Sequence, residues 1–324
     1  MGDISDIIRR SFKSNDDKRD EGLVTPDDIV RYDDICYGTD RVWQVLDIYL
    51  PKAFAESRVK KDAKTDLFDS EIQEIEKREK LPVILNVHGG AWVYGTKETY
   101  QFYCMSLAQK GFAVVNFTYR LASDFKFPSM IEDTNLVMHY VFENSDKFGF
   151  DLDRLYAVGD SAGAHLLSIY AAMAVNPEYA AKFEMKYGDR YNLKLPENLK
   201  FRALALNCGK YNFEQDNRIT ESGDAAILDV LLEDHGVPAE MELMNVYYAV
   251  DENFPTCFVM TASDDVLKDQ SVHLAGRLAE KKVPFTMKVY GSAEKPLYHV
   301  FHCDIRSEDG VKCNDDECRF FSEI

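Results

Sequence analysis

The sequence predicts an α/β fold in which a central, mostly parallel sheet is covered by helices on both faces. Six short apolar runs are too continuous for strands with one solvated face, and they suit a sheet that is buried on both sides. These runs are PVILNV (82–87), FAVVNFT (112–118), LYAVG (155–159), ALALNC (203–208), TCFVMT (256–261) and FTMKVY (285–290). Predicted helices separate them at 99–110, 130–147, 162–175 and 270–282. This alternation indicates parallel strands joined by right-handed crossovers.

The first eighty residues are less regular. Residues 1–28 are polar and highly charged, so we expect residues 1–42 to form an N-terminal arm or a possible cap element. The segment WQVLDIYLP (43–51) predicts a strand that ends at a proline, and 52–80 predicts a loop with an amphipathic helix. The main domain is expected to span 43–324.

Two later connections are longer than one crossover helix requires. They occupy 176–200 and 211–250 and are rich in Tyr, Phe, Met and Leu. We therefore predict that the region 175–250 contains cap insertions, which form a small helical cap over the ends of the strands.

Composition and charge exclude several classes of function. The 324 residues include 56 acidic and 38 basic side chains, for a net charge of −18. This balance opposes binding to phosphate backbones and to anionic lipids, so we expect no nucleic-acid partner and no membrane partner. The first residues contain no apolar leader segment and predict a cytoplasmic protein. Both a monomer and a homodimer are compatible with the sequence.

Seven cysteines without regular spacing are typical of reduced thiols rather than of a disulfide framework. Cys303, Cys313 and Cys318 cluster near His302, but their gaps of ten and five residues match no common zinc motif. We expect free thiols, no bound metal and no organic cofactor.

The segment GDSAG (159–163) is a G-x-S-x-G motif between a predicted strand and a predicted helix. This context is the one that a nucleophilic serine requires, because the sharp turn projects the hydroxyl of Ser161. Gly159 and Gly163 remove side chains that would collide with neighbouring backbone. The motif therefore predicts Ser161 as the nucleophile.

The segment HGGAW (88–92) directly follows the first buried strand, where it can form an oxyanion loop. We expect the N–H groups of Gly89 and Gly90, with that of Ala162, to form the oxyanion hole. His88 and Trp92 are interpreted as structural residues of this loop.

An activated serine also needs an acid and a base, which follow it in the order Ser, Asp or Glu, His in hydrolases with this motif. Asp264 and Asp265 stand after the strand at 256–261, and His299 and His302 stand after the strand at 285–290. The residues alone leave a choice within each pair.

The chain resembles the hormone-sensitive-lipase-like carboxylesterases and the similar bacterial esterase/lipase group, which have the α/β-hydrolase fold. The matching blocks are HGGAW (88–92), YRLA (119–122), FP (127–128), ED (132–133), DLDRLYAVGDSAGAHL (151–166), DVLKDQS (265–271) and HVF (299–301). In that family the acid begins a D-x-L-x-D segment and the base begins an H-x-F segment. The resemblance thus implies a triad with Asp265 and His299, and it makes Asp264 and His302 the second choices.

Several positions depart from the family pattern. Ala164 and His165 follow the serine motif where the family often has Gly, and Val266 and Val300 occupy the middle places of the acid and base segments. None of these changes removes a reacting group. We interpret His165 as a packed, hydrogen-bonded residue rather than as a second base.

These features predict a carboxylic ester hydrolase that cleaves short-chain esters through an acyl-enzyme intermediate. The partner is then a small-molecule ester. The same machinery could act on an aryl formamide, a lactone, or acetyl or feruloyl groups on carbohydrates. A non-catalytic binding protein on the same scaffold is a further alternative, and the presence of all three triad candidates argues against it.

Overall fold

The apolar runs form the predicted sheet. The computed structural model describes residues 4–62, 79–214 and 224–324, and these ranges contain eight strands in one sheet. In chain order the strands are β1 (Ile29–Cys36), β2 (Val45–Pro51), β3 (Leu81–Val87), β4 (Ala113–Phe117), β5 (Phe150–Asp160), β6 (Ala203–Asn207), β7 (Thr256–Ala262) and β8 (Phe285–Tyr290). They lie side by side in the order β1-β2-β4-β3-β5-β6-β7-β8. β2 runs antiparallel to both of its neighbours, and β3 to β8 are parallel.

Helices cover both faces of this sheet. In the described ranges they are α1 (Ile4–Asp20), α2 (Lys52–Asp62), α3 (Lys97–Ala108), α4 (Ser129–Glu143), α5 (Ser145–Phe148), α6 (Ala162–Val175), α7 (Pro177–Tyr187), α8 (Asp224–Leu231), α9 (Pro238–Met244), α10 (Lys268–Glu280) and α11 (Glu308–Glu323). Short 3₁₀ turns lie at Val246–Tyr248 and Phe301–Cys303. None of these helices is long and apolar enough to cross a membrane.

The continuous apolar character of the strands follows from this two-sided burial. In β3, Leu85 packs with residues of α4 and α6, whereas its neighbour Ile84 packs with residues of α3 and α11. Successive side chains of a strand point to opposite faces, so both sides of the sheet require apolar residues. The predicted α/β class is therefore confirmed.

The structure corrects some of the predicted boundaries. β1 pairs antiparallel with β2, so residues 29–36 belong to the sheet rather than to an arm or cap. The predicted helix at 130–147 is two helices, α4 and α5, which are separated at Asn144. Part of the predicted loop and helix at 52–80 forms α2, and the rest lies mostly outside the described residues.

The segments expected to form a cap contain short helices. α7, α8 and α9 lie within 175–250, and α1 packs against α8. That these segments cover the substrate entrance stays a prediction.

Candidate active site

The serine motif forms a sharp turn between β5 and α6. Ser161 has φ 52° and ψ −119°, a strained conformation for a residue with a side chain. Its N–H donates to the Asn207 carbonyl oxygen at 2.9 Å, which fixes the turn against β6. A Cβ on Gly163 would lie 2.0 Å from the carbonyl oxygen of Val87. The glycine therefore lets the helix approach β3 closely.

The structure brings His299 and Asp265 to this serine. His299 Nε2 lies 3.0 Å from Ser161 Oγ, and His299 Nδ1 lies 2.7 Å from Asp265 Oδ1. A carboxylate can only accept, so the neutral imidazole donates from Nδ1 and accepts at Nε2. The three side chains thus form a continuous hydrogen-bonded chain that ends on the serine hydroxyl.

The carboxylate of Asp265 is fixed by several donors. Its side chain is buried, and its oxygens accept hydrogen bonds from Thr261 Oγ1 at 2.8 Å and from the Leu267 N–H at 2.9 Å. Burial opposes ionisation of Asp265, but the hydrogen bond and charge of His299 and the Leu267 N–H together lower its pKa. The group is therefore suited to orient the imidazole as a carboxylate.

The second choices occupy different environments. Asp264 is exposed and its carboxylate accepts a hydrogen bond from Ser263 Oγ at 2.8 Å. His302 is fully buried beside Tyr103 and Cys303, and burial lowers its pKa to about 3. The structure brings neither of them into the hydrogen-bonded chain with Ser161.

One predicted oxyanion donor is engaged elsewhere. The Gly89 N–H points at Asp160 Oδ1 and Tyr100 Oη, each at 3.1 Å, and the Tyr100 hydroxyl donates to Asp160 Oδ2 at 2.8 Å. A Cβ at Gly89 would lie 2.4 Å from the Asp160 carboxylate. The prediction that Gly89 supplies an oxyanion donor is therefore wrong, because a buried carboxylate already accepts its N–H.

Three other N–H groups of the turn regions are available. Those of Gly90, Ala91 and Ala162 make no hydrogen bond to the part of the chain that the structure describes. Gly90 has φ 118° and Ala91 has φ 51°, so the loop backbone follows the left-handed path that exposes consecutive N–H groups. The sequence analysis did not single out the Ala91 N–H, because the motif alone does not reveal which N–H groups already have an acceptor.

His88 packs inside the protein beneath the HGGAW loop and contacts its backbone. Its ring is fully buried, stacks on Tyr119 with 3.9 Å between ring centroids, and contacts the Gly89 carbonyl oxygen through Nδ1 at 2.8 Å. Burial lowers the pKa of His88 to about 4, so the ring is neutral. The expected structural role of His88 agrees with these contacts.

Trp92 and His165 link the HGGAW loop to helix α6. Trp92 Nε1 donates to His165 Nδ1 at 3.3 Å, and His165 Nε2 donates to the Met244 carbonyl oxygen at 2.8 Å. Burial lowers the pKa of His165 to about 4. His165 is thus a packed, hydrogen-bonded residue, as expected, and it joins α6 to the oxyanion loop and to the end of α9.

Two buried carboxyls were not singled out from the sequence. Burial raises the pKa of Asp160, which precedes the nucleophile, to about 6, although Tyr100 partly offsets the effect. Burial also raises the pKa of Glu317 to about 7, and Glu317 accepts hydrogen bonds from Tyr103 and Asn207. Asp160 could have been noticed, because it lies inside the serine motif.

The N-terminal helix is tied to both sides of the site. Arg9 donates to the Val93 carbonyl oxygen at 2.8 Å and to the Ala122 carbonyl oxygen at 3.0 Å. From the opposite side, Arg306 donates to the Glu21 carbonyl oxygen at 3.0 Å, just after α1. The helix therefore bridges the segment after the oxyanion loop and the segment after His299.

Comparison with known protein families identifies the family of this chain. The model of the BD-FAE family matches residues 71–278, which is more than half of the chain. The chain belongs to the BD-FAE family. The matched segment contains Ser161 and Asp265, whereas His299 lies beyond its end.

This BD-FAE protein is similar to two curated esterases and to one solved structure described below. It is 28% identical over 229 residues to the versiconal hemiacetal acetate esterase of Dothistroma septosporum, covering 64% of this chain and 63% of that protein. It is 27% identical over 219 residues to the arylesterase of Saccharolobus solfataricus, covering 64% and 65%. The chain thus spans less than two thirds of the length of both relatives. Esterase B of Lactobacillus rhamnosis superposes with a TM-score of 0.80 at 23% identity, covering 99% of this chain and 94% of the other. This similarity shows the α/β-hydrolase fold.

Proposed function

We propose that this BD-FAE family protein is a serine esterase that hydrolyses short-chain carboxylic esters. The observation that carries the proposal is the chain Ser161–His299–Asp265, with contacts of 3.0 and 2.7 Å. Its order and geometry fit nucleophile, base and orienting acid.

The acylation step begins at the serine hydroxyl. Ser161 Oγ attacks the ester carbonyl carbon while His299 Nε2 takes the hydroxyl proton. The imidazolium that forms stays hydrogen-bonded to Asp265, whose lowered pKa keeps it ionised. The same Nε2–H then protonates the leaving alcohol, and the acyl group remains on Ser161.

The tetrahedral intermediate carries its negative charge on the former carbonyl oxygen. We assign its donors to the N–H groups of Gly90, Ala91 and Ala162, because these groups lack an acceptor in the described structure. Ala162 is also the first residue of α6, where the partial positive charge of the helix end favours an anion. Loss of one oxyanion donor typically costs about 3 kcal/mol of transition-state stabilisation.

Deacylation repeats these steps with water. His299 Nε2 removes a proton from water, which attacks the acyl carbonyl, and then returns the proton to Ser161 Oγ. The acid product leaves and the resting hydrogen-bonded chain is restored.

The names of the relatives support an ester as the substrate. Two of them are called an acetate esterase and an arylesterase, which favours esters with a small acyl group. An aryl formamide, a lactone and an acetylated or feruloylated carbohydrate remain chemically compatible with the same machinery, because all of them react through an oxyanion.

The test is hydrolysis of p-nitrophenyl acetate and butyrate by the purified protein. Ser161→Ala and His299→Ala are expected to lower the rate by several orders of magnitude. Ser168→Ala is the matched control, because this buried serine lies on the same helix and its hydroxyl donates to the Ala164 carbonyl oxygen. Undiminished hydrolysis by Ser161→Ala, or a fluorophosphonate adduct on another serine, would refute the mechanism.

A substrate panel then tests the acyl and leaving-group preference. It contains esters of increasing acyl length, a formamide, a lactone and an acetylated sugar. The proposal expects kcat/KM to be highest for short acyl esters, and faster turnover of the formamide or of the lactone would replace the proposed substrate class.

A further inference from the structure

A buried thiol lies beside the proposed acid and base. Cys208 directly follows β6 with φ 51°, and its N–H donates to the Met260 carbonyl oxygen at 2.7 Å. This turn buries the Cys208 side chain completely. Its Sγ, a carboxylate oxygen of Asp265 and a ring nitrogen of His299 all lie within 4.8 Å of one another. One sulfur, one oxygen and one nitrogen atom that could each bind a metal ion therefore lie close together.

We propose that Cys208, Asp265 and His299 form a binding site for a thiophilic divalent cation, such as Zn²⁺ or Cd²⁺, whose occupation switches the enzyme off. Within residues 4–62, 79–214 and 224–324, no other group of three His, Cys, Asp or Glu ligands comes together in this way. The inhibitory effect rests on the proposed function, whereas cation binding does not.

The ligand set fits such an ion. Thiolate, imidazole and carboxylate are the usual protein ligands of Zn²⁺, and three of them leave a fourth position for water. Ligand atoms around a tetrahedral Zn²⁺ lie about 3.4 Å apart. His299 Nδ1 and Asp265 Oδ1 are closer, at 2.7 Å, and no pair is farther apart than 4.8 Å. Shifts of about 1 Å or less in each side chain therefore bring the site to coordination geometry.

Hard cations fit less well. Mg²⁺ and Ca²⁺ require several oxygen ligands, and thiolates select softer metals. Here the carboxylate of Asp265 is the only side-chain oxygen donor of the set. The site is thus selective by chemistry for Zn²⁺ and Cd²⁺.

Cation binding changes where the protons of Cys208 and His299 lie. In the free site Cys208 is a fully buried thiol, which must lose its proton to bind a metal, and His299 Nδ1–H donates to Asp265 Oδ1. Binding breaks the S–H bond, forms a metal–sulfur bond and releases that proton to solvent. The cation takes the lone pair of Nδ1, and the imidazole proton moves to Nε2. One proton is released for each cation bound, and no electron is transferred.

This change removes the base. The lone pair of His299 Nε2 is the acceptor for the Ser161 proton at 3.0 Å. When Nδ1 binds the cation, Nε2 carries a proton and can only donate. Asp265 also loses its hydrogen bond from Nδ1. Ser161 therefore keeps its proton and cannot attack.

Binding is tested first, without reference to activity. Cd²⁺ is titrated into the Ser161→Ala protein, which retains all three ligands, while thiolate-to-metal charge-transfer absorption and proton release are recorded. We expect saturation at one cation and about one proton per chain. Cys208→Ala and Cys208→Ser are each made in the Ser161→Ala protein and are expected to weaken Cd²⁺ binding at least about tenfold. Loss of a residue that only supports a metal ligand already lowers metal affinity by about this factor, and Cys208 is proposed as a ligand itself.

Inhibition is tested in the protein with Ser161 intact. Cd²⁺ and Zn²⁺ are expected to abolish p-nitrophenyl acetate hydrolysis, and an equal concentration of Mg²⁺ is expected to leave it intact. Each Cys208 variant is compared with its own uninhibited rate, and its inhibition midpoint is expected to rise at least about tenfold. Cys36→Ser is the matched control, because Cys36 is the one exposed cysteine, and its midpoint should equal that of the unmodified protein.

The two proposals can fail separately. Cd²⁺ binding in the Ser161→Ala protein that persists unchanged without Cys208 overturns the cation site, and so does an absence of saturable binding. Retained hydrolysis by Ser161→Ala overturns the proposed function and leaves the binding result standing. A circular-dichroism spectrum and thermal unfolding confirm that each variant is folded. If only one of the two Cys208 variants folds, that variant alone decides whether Cys208 is a ligand.

Discussion

Replacement of Asp160 by asparagine should stabilise the protein while weakening its activity. The carboxyl of Asp160 is almost completely buried, and burial raises its pKa from the ordinary 3.8 to about 6. A pKa unit corresponds to about 1.4 kcal/mol, so keeping this group ionised at neutral pH costs about 3 kcal/mol of folding free energy. The asparagine side chain of the variant resembles the protonated acid in shape and does not incur this cost.

The sign of the pH dependence follows from the direction of the shift. Because the folded-state pKa lies above the unfolded value, the folded protein binds more protons between about pH 4 and pH 6, and wild-type stability falls as the pH rises through this range. Relative to the wild type, Asp160→Asn is therefore expected to gain up to about 3 kcal/mol at pH 8 and almost nothing at about pH 4.

Urea unfolding at these two pH values measures the difference. Asp153→Asn is the matched control, because Asp153 lies on the same strand and is exposed, and its effect should stay within about 0.5 kcal/mol. Activity should fall in Asp160→Asn, because the negative charge that interacts with His299 and accepts the Gly89 N–H is lost. A destabilised variant at pH 8, or an equal gain at both pH values, would show that burial is not the dominant effect on Asp160.

The remaining predictions concern backbone contact and the hydrogen-bonded chain. Gly163→Ala should destabilise the fold by several kcal/mol and abolish hydrolysis, because its Cβ would overlap the carbonyl oxygen at the end of β3. Gly276→Ala has open space in helix α10 and should raise stability by about 0.5–1 kcal/mol. Urea unfolding of both glycine variants measures these two effects. Asp265→Asn should lower kcat about 10⁴-fold, and Asp264→Asn should change kcat little. The reverse ranking would identify Asp264, rather than Asp265, as the residue that orients His299. Trp92→Phe removes an indole donor from a buried histidine of α6 and should lower kcat more than it raises KM, whereas unchanged kinetics would contradict a positioning role.

Most of the sheet was predictable because its strands are buried on both faces. The apolar runs that became β3, β6 and β7 were bounded within about one residue, since solvent-exposed positions do not interrupt them. The run that became β8 was bounded equally well, although Thr286 and Val289 are exposed. β1 lacked this signal. Asp33 and Asp34 interrupt it, and its pairing with β2 shifts register at that point, so an edge strand looked like part of a polar arm.

The C-terminal helix α11 was hidden for a related reason. Its inner face carries Asn314, Asp316 and Glu317 beside the apolar Phe321. These polar residues lower the mean hydropathy of the segment, so it does not stand out as an apolar helix. Their hydrogen-bond partners, such as Tyr103, lie far away in the chain and are not visible in a local pattern.

The candidate residues Ser161, Asp265 and His299 could be predicted because of their order in the sequence and their positions after strands. The loops after parallel strands meet at one edge of the sheet, so residues after β5, β7 and β8 had to be neighbours. The hydrogen bond that occupies the Gly89 N–H could not be foreseen, because it joins residues 71 positions apart. Which backbone donors remain free is decided by tertiary contacts.

Arg9 and Arg306 tie α1 to two segments that lie on either side of the candidate site. Arg9 binds main-chain oxygens beside the HGGAW loop, and Arg306 lies on the segment that follows His299. If α1 swings outward, it must release one anchor or pull on its segment. Displacement of α1 would therefore break hydrogen bonds to the HGGAW side and to the His299 side of the candidate site together.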